Sequence, residues 1–457
     1  MFCNTVHLIL ISATLYFIPL TFLNLANFSQ FEILLIPKIE IFMPEAVNLI
    51  IYSIPVFFLL IGVEILIDKL KRTGYYRLND AISNMNAGIT EQVTGAFLKA
   101  FVVGIYAWLF AHYKFFTIPS NIFTWVILFL GVDFFYYWFH RFAHEINFLW
   151  GGHVVHHQSE EYNLSVALRQ GAFQKFGSFA FYLPLALIGF DPVMFIVVSQ
   201  IQTLYQFWIH TKTINRFPAP IEFIFNTPSH HRVHHGRNPE YIDKNHGGTL
   251  IIWDRMFGTF KEEKEEVVYG ITKPLNTWNP LRAQLDFWRD LFRDLAHTHK
   301  FRDKLKLLFL PPGWYPAELG GPKYAPEINA NSAAKFDTTI PVGLNYYVLV
   351  QFIIILGLTS YLLFSFDSFD RLTQITYTLL VLFSITCLGV ILERRNWSFG
   401  AEIIRLISYP VLFFIFIVSD HLQSFYFIDL YVLIFISFIS ILFFIPFRKT
   451  FQTYEVG

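Results

Sequence analysis

Residues 122–144 read IFTWVILFLGVDFFYYWFHRFAH. The run from Ile122 to Phe139 is apolar except at Asp133, and it passes without a turn signal into His140-Arg-Phe-Ala-His144. A segment of this length and hydropathy is a membrane-helix candidate. It ends in two imidazoles four residues apart, which on a helix share one face. The starting point is therefore a lipid-embedded helix with metal-ligand side chains at its tip. Asp133 lies seven residues before His140, two turns back on that same face. An ionisable group inside an apolar span is expensive and usually functional. We expect Asp133 to accept the second ring N–H of a ligand histidine, as such partners commonly do.

The whole chain has the same character. Of its 457 residues 54% are hydrophobic, 19% aromatic and only 15% charged, against about a quarter charged in soluble domains. The 34 basic and 34 acidic residues cancel, which speaks against a nucleic-acid partner and against a charged disordered tail. Two cysteines, Cys3 and Cys387, sit in apolar stretches at opposite ends, so neither a disulfide framework nor a cysteine-based zinc site is expected.

The first 31 residues carry no Asp, Glu, Lys or Arg. His7–Asn27 is long enough to span; it lacks the basic n-region of a signal peptide and is read as a retained helix. Further spans are expected at Ala46–Ile67, Phe97–Tyr113, Ile122–Phe139, Val342–Phe366, Leu372–Leu392, Ala401–Ser419 and Leu430–Phe447. Two shorter segments, Phe176–Phe190 and Val193–Ile209, are split by Asp191-Pro192 and suggest a shallow or re-entrant hairpin. Lys69, Lys71, Arg72 and Arg77 follow the second span and place that loop in the cytoplasm by the positive-inside rule. Counted onward, His140, the polar stretch 261–340, Arg394, Arg395, Arg405, Arg448 and Lys449 fall on the same side. The expected fold is an all-α, polytopic integral membrane helical bundle with a cytoplasm-facing histidine site. It divides into membrane helices at 1–121, a histidine-bearing catalytic region with a polar extension at 122–340, and a second apolar helical block at 341–457. Turn signals at Pro311-Pro312-Gly313 and Gly320-Gly321-Pro322 mark the connector.

Eleven of the 16 histidines lie between His140 and His246. They form three boxes: His140-x3-His144, His153-x2-His156-His157 and His231-x2-His234-His235. Each box is expected to bring two or three imidazoles to a single point. Together the eight can hold two metal ions with positions left open for a small molecule. Imidazole suits Fe, Zn, Cu and Ni, so ligand type alone does not choose the metal. A single histidine is more often a packed side chain than a ligand, but three boxes at helical spacing are hard to reach by chance. His210, closing the apolar hairpin at the same face, is a ninth candidate ligand, with an interfacial anchor as its competing reading. His230 is expected to orient a neighbour, and His246, in a Gly-rich turn, fits either role. His7, His112, His297, His299 and His421 are read as structural. Glu145, about 100° round the helix from His144, faces a bound polar molecule rather than the metal. Asp243 and Asp254 either orient ligands or cap turns.

These boxes resemble the eight-histidine signature of the fatty acid hydroxylase and sterol desaturase superfamily of membrane di-iron oxygenases. Within it, six stretches are similar to the alkylglycerol monooxygenase family. They are Thr227-Pro-Ser-His-His-Arg-Val-His-His-Gly-Arg-Asn-Pro239, Asp243-Lys-Asn245, Gly248–Phe260, Tyr269-Gly-Ile-Thr-Lys-Pro-Leu275, Trp278-Asn-Pro-Leu281 and Glu393-Arg-Arg-Asn-Trp397. The resemblance implies two iron ions held by His140, His144, His153, His156, His157, His231, His234 and His235. It implies tetrahydrobiopterin as reductant, with Glu145 at the position tied to its use, O2 as oxidant and an alkylglycerol from the bilayer as substrate. One departure is His246, where that family's turn more often has Tyr.

The implied reaction hydroxylates the alkyl carbon beside the ether oxygen, which releases a fatty aldehyde and the free glycerol derivative. Such a lipid suits histidines at a membrane interface, because each tail CH2 is worth about 0.8 kcal/mol to keep from water. The implied compartment is the endoplasmic reticulum in a eukaryote and the inner membrane in a bacterium. The nearest alternative is a fatty acid or sterol hydroxylase or desaturase of the same superfamily fed by an electron-transfer protein. A metal transporter is the remote one, since transport ligands lie near mid-membrane.

Overall fold

Why the chain folds as it does is clearest at its helix ends. In the computed structural model, which describes residues 13–14, 38–39, 49–328, 333–418 and 427–452, the first helices are α1 (Leu49–Lys71) and α2 (Leu78–Tyr113). Next comes α3 (Ile122–Glu145), started by an Asn121–Thr124 capping box, a reciprocal pair that satisfies two of the orphan N–H groups of a helix start. The backbone breaks at Ile146 and resumes as α4 (Asn147–His157), so the first two histidine boxes lie on consecutive, closely packed helices. A short turn, α5 (Leu164–Ala167), precedes the apolar hairpin of α6 (Gln174–Ile188) and α7 (Pro192–Trp208). The hairpin turns where Gly189 takes φ +114° and the Asp191 carboxylate caps α7 with Pro192 in its first turn. At 15 and 17 residues both arms are shorter than a usual span.

Three short helices follow: α8 (Ala219–Ile224), α9 (Pro228–His234), which carries the third box, and α10 (Ile252–Phe257). The stretch expected to be a polar extension contains two amphipathic helices, α11 (Pro280–His297) and α12 (Phe301–Phe309). Both pack on α4, where Gly151 lets the rings of Phe287 and Trp288 close in. The C-terminal block is α13 (Val342–Phe364), α14 (Arg371–Leu392), α15 (Ser398–Val418) and α16 (Phe427–Phe444). Among the described residues, strand structure is limited to a two-residue pairing of Ala13–Thr14 with Lys38–Ile39.

Among the described residues five helices are long and apolar enough to cross a membrane, and α2, bent by 44° between Leu98 and Phe101, makes a sixth when taken as one span. The protein is a multi-pass membrane protein. Large side chains such as Phe123, Ile127, Ile353 and Phe435 stand exposed along these helices, a surface only lipid covers at low cost. The expected span His7–Asn27 lies almost wholly outside the described residues, as do His7 and His421. The segment expected at Phe97–Tyr113 is the second half of α2, whose first half was missed. Asn79, Asp80, Ser83, Asn84, Asn86 and Glu91 hide that half from a hydropathy scan, yet all are buried. Partners offset the cost of burying most of them: Asn84 donates to Asp80 (2.8 Å) and to Ser165 (3.1 Å), and Ser159 donates to Asp80 (2.8 Å), whereas the Asn86 side-chain amide is buried without a hydrogen bond.

One apolar core joins Ile82, Ile89 and Val93 of α2 and Trp278 to Val348, Phe352, Tyr377 and Phe413 of the C-terminal block. Two of the quoted stretches meet at this joint. Glu393 accepts the Trp278 backbone N–H (2.8 Å) and the Thr277 hydroxyl, and Gly389 leaves room for the Trp278 carbonyl. Arg405 was counted above among loop charges. It is instead 1% exposed and paired with Glu402 at 2.6 Å inside the bundle, so it carries no weight in fixing orientation.

Candidate metal centre

Nine imidazoles from four segments meet in two groups. The nitrogens of His140, His144, His153, His157 and His234 lie within 4.8 Å of one another, and so do those of His156, His210, His231 and His235. The second and third boxes each divide between the groups. The expectation of one point per box is corrected here, because adjacent helical residues diverge by about 100°. On α4, His153 and His157 share a face and His156 looks elsewhere; around α9, His231 and His235 pair and His234 turns to the other group. His210, just past α7, completes the second group.

Hydrogen bonds on the far side of the rings set what the near side can do. The Nδ1–H groups donate to backbone carbonyls: His140 to His246 (2.8 Å), His156 to Arg169 (2.8 Å), His210 to Gln206 (2.7 Å) and His234 to Lys244 (3.0 Å). His153 donates to Gln174 Oε1 at 2.8 Å. A neutral imidazole that donates from Nδ1 has a bare lone pair on Nε2. Yet Nε2 of His140 and His153 stand 3.0 Å apart, and those of His156 and His210 3.2 Å apart. Facing lone pairs at that separation repel unless a cation lies between them. With metal–nitrogen bonds of about 2.1 Å, ligand atoms round one ion are roughly 3.0–3.4 Å apart. The residues therefore fit a pair of metal ions. Nε2 of His144, His234 and His235 is buried without a protein partner, as a ligand atom would be. Burial holds His153 at about 3 and His210 at about 4 and keeps His156, His157, His231, His234 and His235 well below the usual histidine range. The rings are thus neutral at physiological pH, as metal binding requires.

Asp133 is fully buried but touches no histidine. Its carboxylate accepts from Gln202 Nε2 (2.8 Å), the backbone N–H groups of Thr249 (2.7 Å) and Leu250 (3.1 Å), and Trp253 Nε1 (2.9 Å). This corrects the expected Asp133–histidine bond: the loop 246–253 folds over that face of α3 and saturates the carboxylate. Gly248 permits the approach, since a Cβ there would lie 2.4 Å from Gln202 Nε2 and 2.9 Å from Asp133 Oδ1. Asp254 caps the same loop by accepting from the N–H groups of His246 and Gly247 (both 2.7 Å). Asp133 and Asp254 thus hold the turn whose His246 carbonyl fixes His140.

Residues 125–259 match the family Fatty acid hydroxylase. A curated protein named alkylglycerol monooxygenase from Danio rerio is 40% identical over 80% of this chain and 81% of its own length. The Homo sapiens protein of that name is 41% identical over 74% and 76%, and the Caenorhabditis elegans one 30% over 76% of each. The chain belongs to the alkylglycerol monooxygenase family. No solved structure matches it.

The remaining candidates of this family member fall into place around the nine rings. Glu145 stays outside both groups, partly exposed at the end of α3, accepting from Arg141 Nε at 2.8 Å. His230 faces away and lies 3.0 Å from Glu222. Burial pushes the Glu222 carboxyl up, but hydrogen bonds from His230, Ser229 and the Phe217 backbone outweigh it and hold it at about 2. This knot ties α8 to the start of α9. Asp243 comes within 3.6 Å of His144 Nδ1, too far for a hydrogen bond. His246 is fully buried beside His144, ring centroids 5.1 Å apart, but outside the five-membered group. Sequence reasoning missed Gln174, and also Gln170, Gln202 and Gln206, which line a 540 Å³ cavity opening on His153, His156 and His210. Gln202 and Gln206, four residues apart inside an apolar segment, carried the signal that could have found them.

Proposed function

We propose that this chain is a membrane di-iron monooxygenase that cleaves the O-alkyl bond of glycerol ether lipids with O2 and tetrahydrobiopterin. The observation that carries the reading is the pairing of bare imidazole nitrogens about 3 Å apart in two adjacent groups. His140, His144, His153, His157 and His234 would hold one iron, and His156, His210, His231 and His235 the other. Bound iron supplies an oxidant strong enough for an unactivated C–H bond, which no side chain can. The protein's own part is positional. The carbonyls of His246, Arg169 and Gln206 and the Gln174 amide hold four rings with Nε2 inward. The cavity, within the usual 300–1,000 Å³ of ligand sites, receives the lipid and keeps water from it. Oxygen inserted at the carbon beside the ether oxygen leaves a hemiacetal, which falls apart to a fatty aldehyde and the glycerol derivative. Glu145, next to His144 in the chain and partly exposed, would meet the pterin from the aqueous side. The basic residues at the C-terminal end of α1 support reading that side as cytoplasmic.

The test is purified protein given reduced pterin and a 1-O-alkylglycerol, with aldehyde as readout. Wild type should form aldehyde and bind two irons per chain; His156→Ala should lose both turnover and iron. Turnover with a reduced electron-transfer protein but none with pterin would reverse the reductant assignment.

A further inference from the structure

We propose that the substrate's alkyl tail is measured by an aromatic floor of Tyr106, Phe195 and Tyr182, reached through a channel whose wall is partly α13 of the C-terminal block. The proposal rests on the ether-lipid reading above and adds where chain length is decided.

The 540 Å³ cavity runs down one face of α7, lined by Pro192, Phe195, Ile196, Ser199, Thr203 and Gln206 and ending at His210. These positions follow the helical repeat, so they form one continuous stripe. From His210 to Phe195 the stripe is about 22 Å long at 1.5 Å per residue. The tails of one leaflet fill about 15 Å, half of a 30 Å hydrocarbon core. The channel thus holds a full tail with room left for a headgroup.

Polarity sets the direction. The lining next to the histidines is Gln170, Gln174 and Gln206; the far end is Tyr182, Leu183, Phe195 and Ile196 with Val102 and Val103 of α2. A glycerol end meets the amides of Gln170, Gln174 and Gln206 at the first, and a tail is buried at least polar cost at the second.

The far end is built rigidly. The rings of Tyr106 and Phe195 stack at 4.4 Å with 6° between their planes, and Tyr182 packs on Phe195 at 5.4 Å. The Tyr106 hydroxyl donates backward to the Phe190 carbonyl at 3.1 Å, so its polar end is turned away from the channel. Buried Leu128, Leu185 and Met194 back this floor. One side wall is Phe352, Leu356, Thr359 and Leu363 of α13. Neither Tyr106 nor α13 lies within the hydroxylase-matched stretch 125–259. The matched stretch supplies Phe195 and Tyr182 along with the metal centre, while Tyr106 and the α13 wall come from outside it.

The experiment uses the full-length protein in detergent and 1-O-alkylglycerols of about twelve to twenty-two carbons, where each extra buried CH2 is worth about fourfold in affinity. Two readouts are taken: the shift in Tm that each lipid produces, which needs no turnover, and aldehyde release with reduced pterin. Tyr106→Ala and Phe195→Ala should move the preferred length upward, by about fourfold in relative affinity per added CH2. Ser199→Phe places a ring about one turn nearer the histidines than Phe195 and should move it downward. A damaged fold cannot produce shifts in opposite directions. An unchanged Tm-shift profile in both kinds of variant would overturn the floor. If the Tm profiles shift as stated while wild type forms no aldehyde, the channel stands and the ether-cleaving reading falls.

Discussion

Replacing Asp133 distinguishes a loop anchor from a histidine partner. Its two carboxylate oxygens receive four donors, from Gln202, Thr249, Leu250 and Trp253, at 2.7–3.1 Å, and the residue is 0% exposed. Asp133→Asn preserves volume but turns one oxygen into an NH2 group, so two of the four donors meet a donor. A buried donor left unpaired costs about 1–3 kcal/mol, which puts the variant about 2–6 kcal/mol below wild type. Asp133→Ala strands all four and should cost more, limited by the loop 246–253 coming away as a unit. Iron should follow only indirectly, because the loop presents the carbonyl that holds His140 Nδ1. The assay is thermal unfolding in detergent beside iron content of the same samples. Stability should fall first and steeply, and iron should be recovered when the protein is loaded at low temperature. A variant of wild-type stability that has lost iron would refute the reasoning and restore a direct Asp133–histidine bond.

The structure fixes three further outcomes. Gln174→Leu removes the acceptor of His153 Nδ1, and losses of such outer hydrogen bonds typically weaken metal binding 10- to 100-fold; chelator competition for iron measures it, and an unchanged affinity would mean Gln174 does not orient the ring. For pH, His153 and His210 are held at about 3 and about 4 by burial, whereas in the unfolded chain they titrate near 6.5. Below about 6.5 the unfolded state therefore binds more protons, so metal-free protein should lose stability steadily as pH falls toward 4. A Tm flat from pH 7 to pH 4.5 would contradict neutral buried rings. Gly389→Val drives a side chain into the Trp278 carbonyl, 2.7 Å from where the Cβ would sit; overpacking of this kind costs about 1–3 kcal/mol, and an unaltered Tm would show that the joint between α14 and the Trp278 loop is loose.

What could be read from the sequence follows from which interactions are local. Helix type, most spans and eight of the nine ring positions depend on periodicities of three and four residues, so His140-x3-His144 declares itself without a fold. His210 stands alone, and only the arrival of α7 beside α4 and α9 gives it company. The division of nine rings into five and four lay hidden because it depends on side-chain direction at His156 and His157 relative to a helix far along the chain. Asp133 failed for a related reason. Its spacing from His140 was read correctly as a shared face, but a carboxylate is claimed by whichever donors are nearest in three dimensions: the loop 246–253 arrives from more than a hundred residues away with three of them, and Gln202 of α7 adds the fourth. The first half of α2 shows the opposite failure. Buried Asn79 and Asn84 read as a surface because composition cannot see partners such as Thr338 and Ser165. A polar residue in an apolar setting is thus a reliable sign that something specific is nearby and a poor guide to what it is. The same argument gives the glutamines of α7 their weight. Gln202 and Gln206 are polar inside an apolar helix, and one anchors Asp133 while the other's backbone carbonyl fixes His210. The helix that carries the channel to its aromatic floor therefore also holds part of the metal centre in register with it.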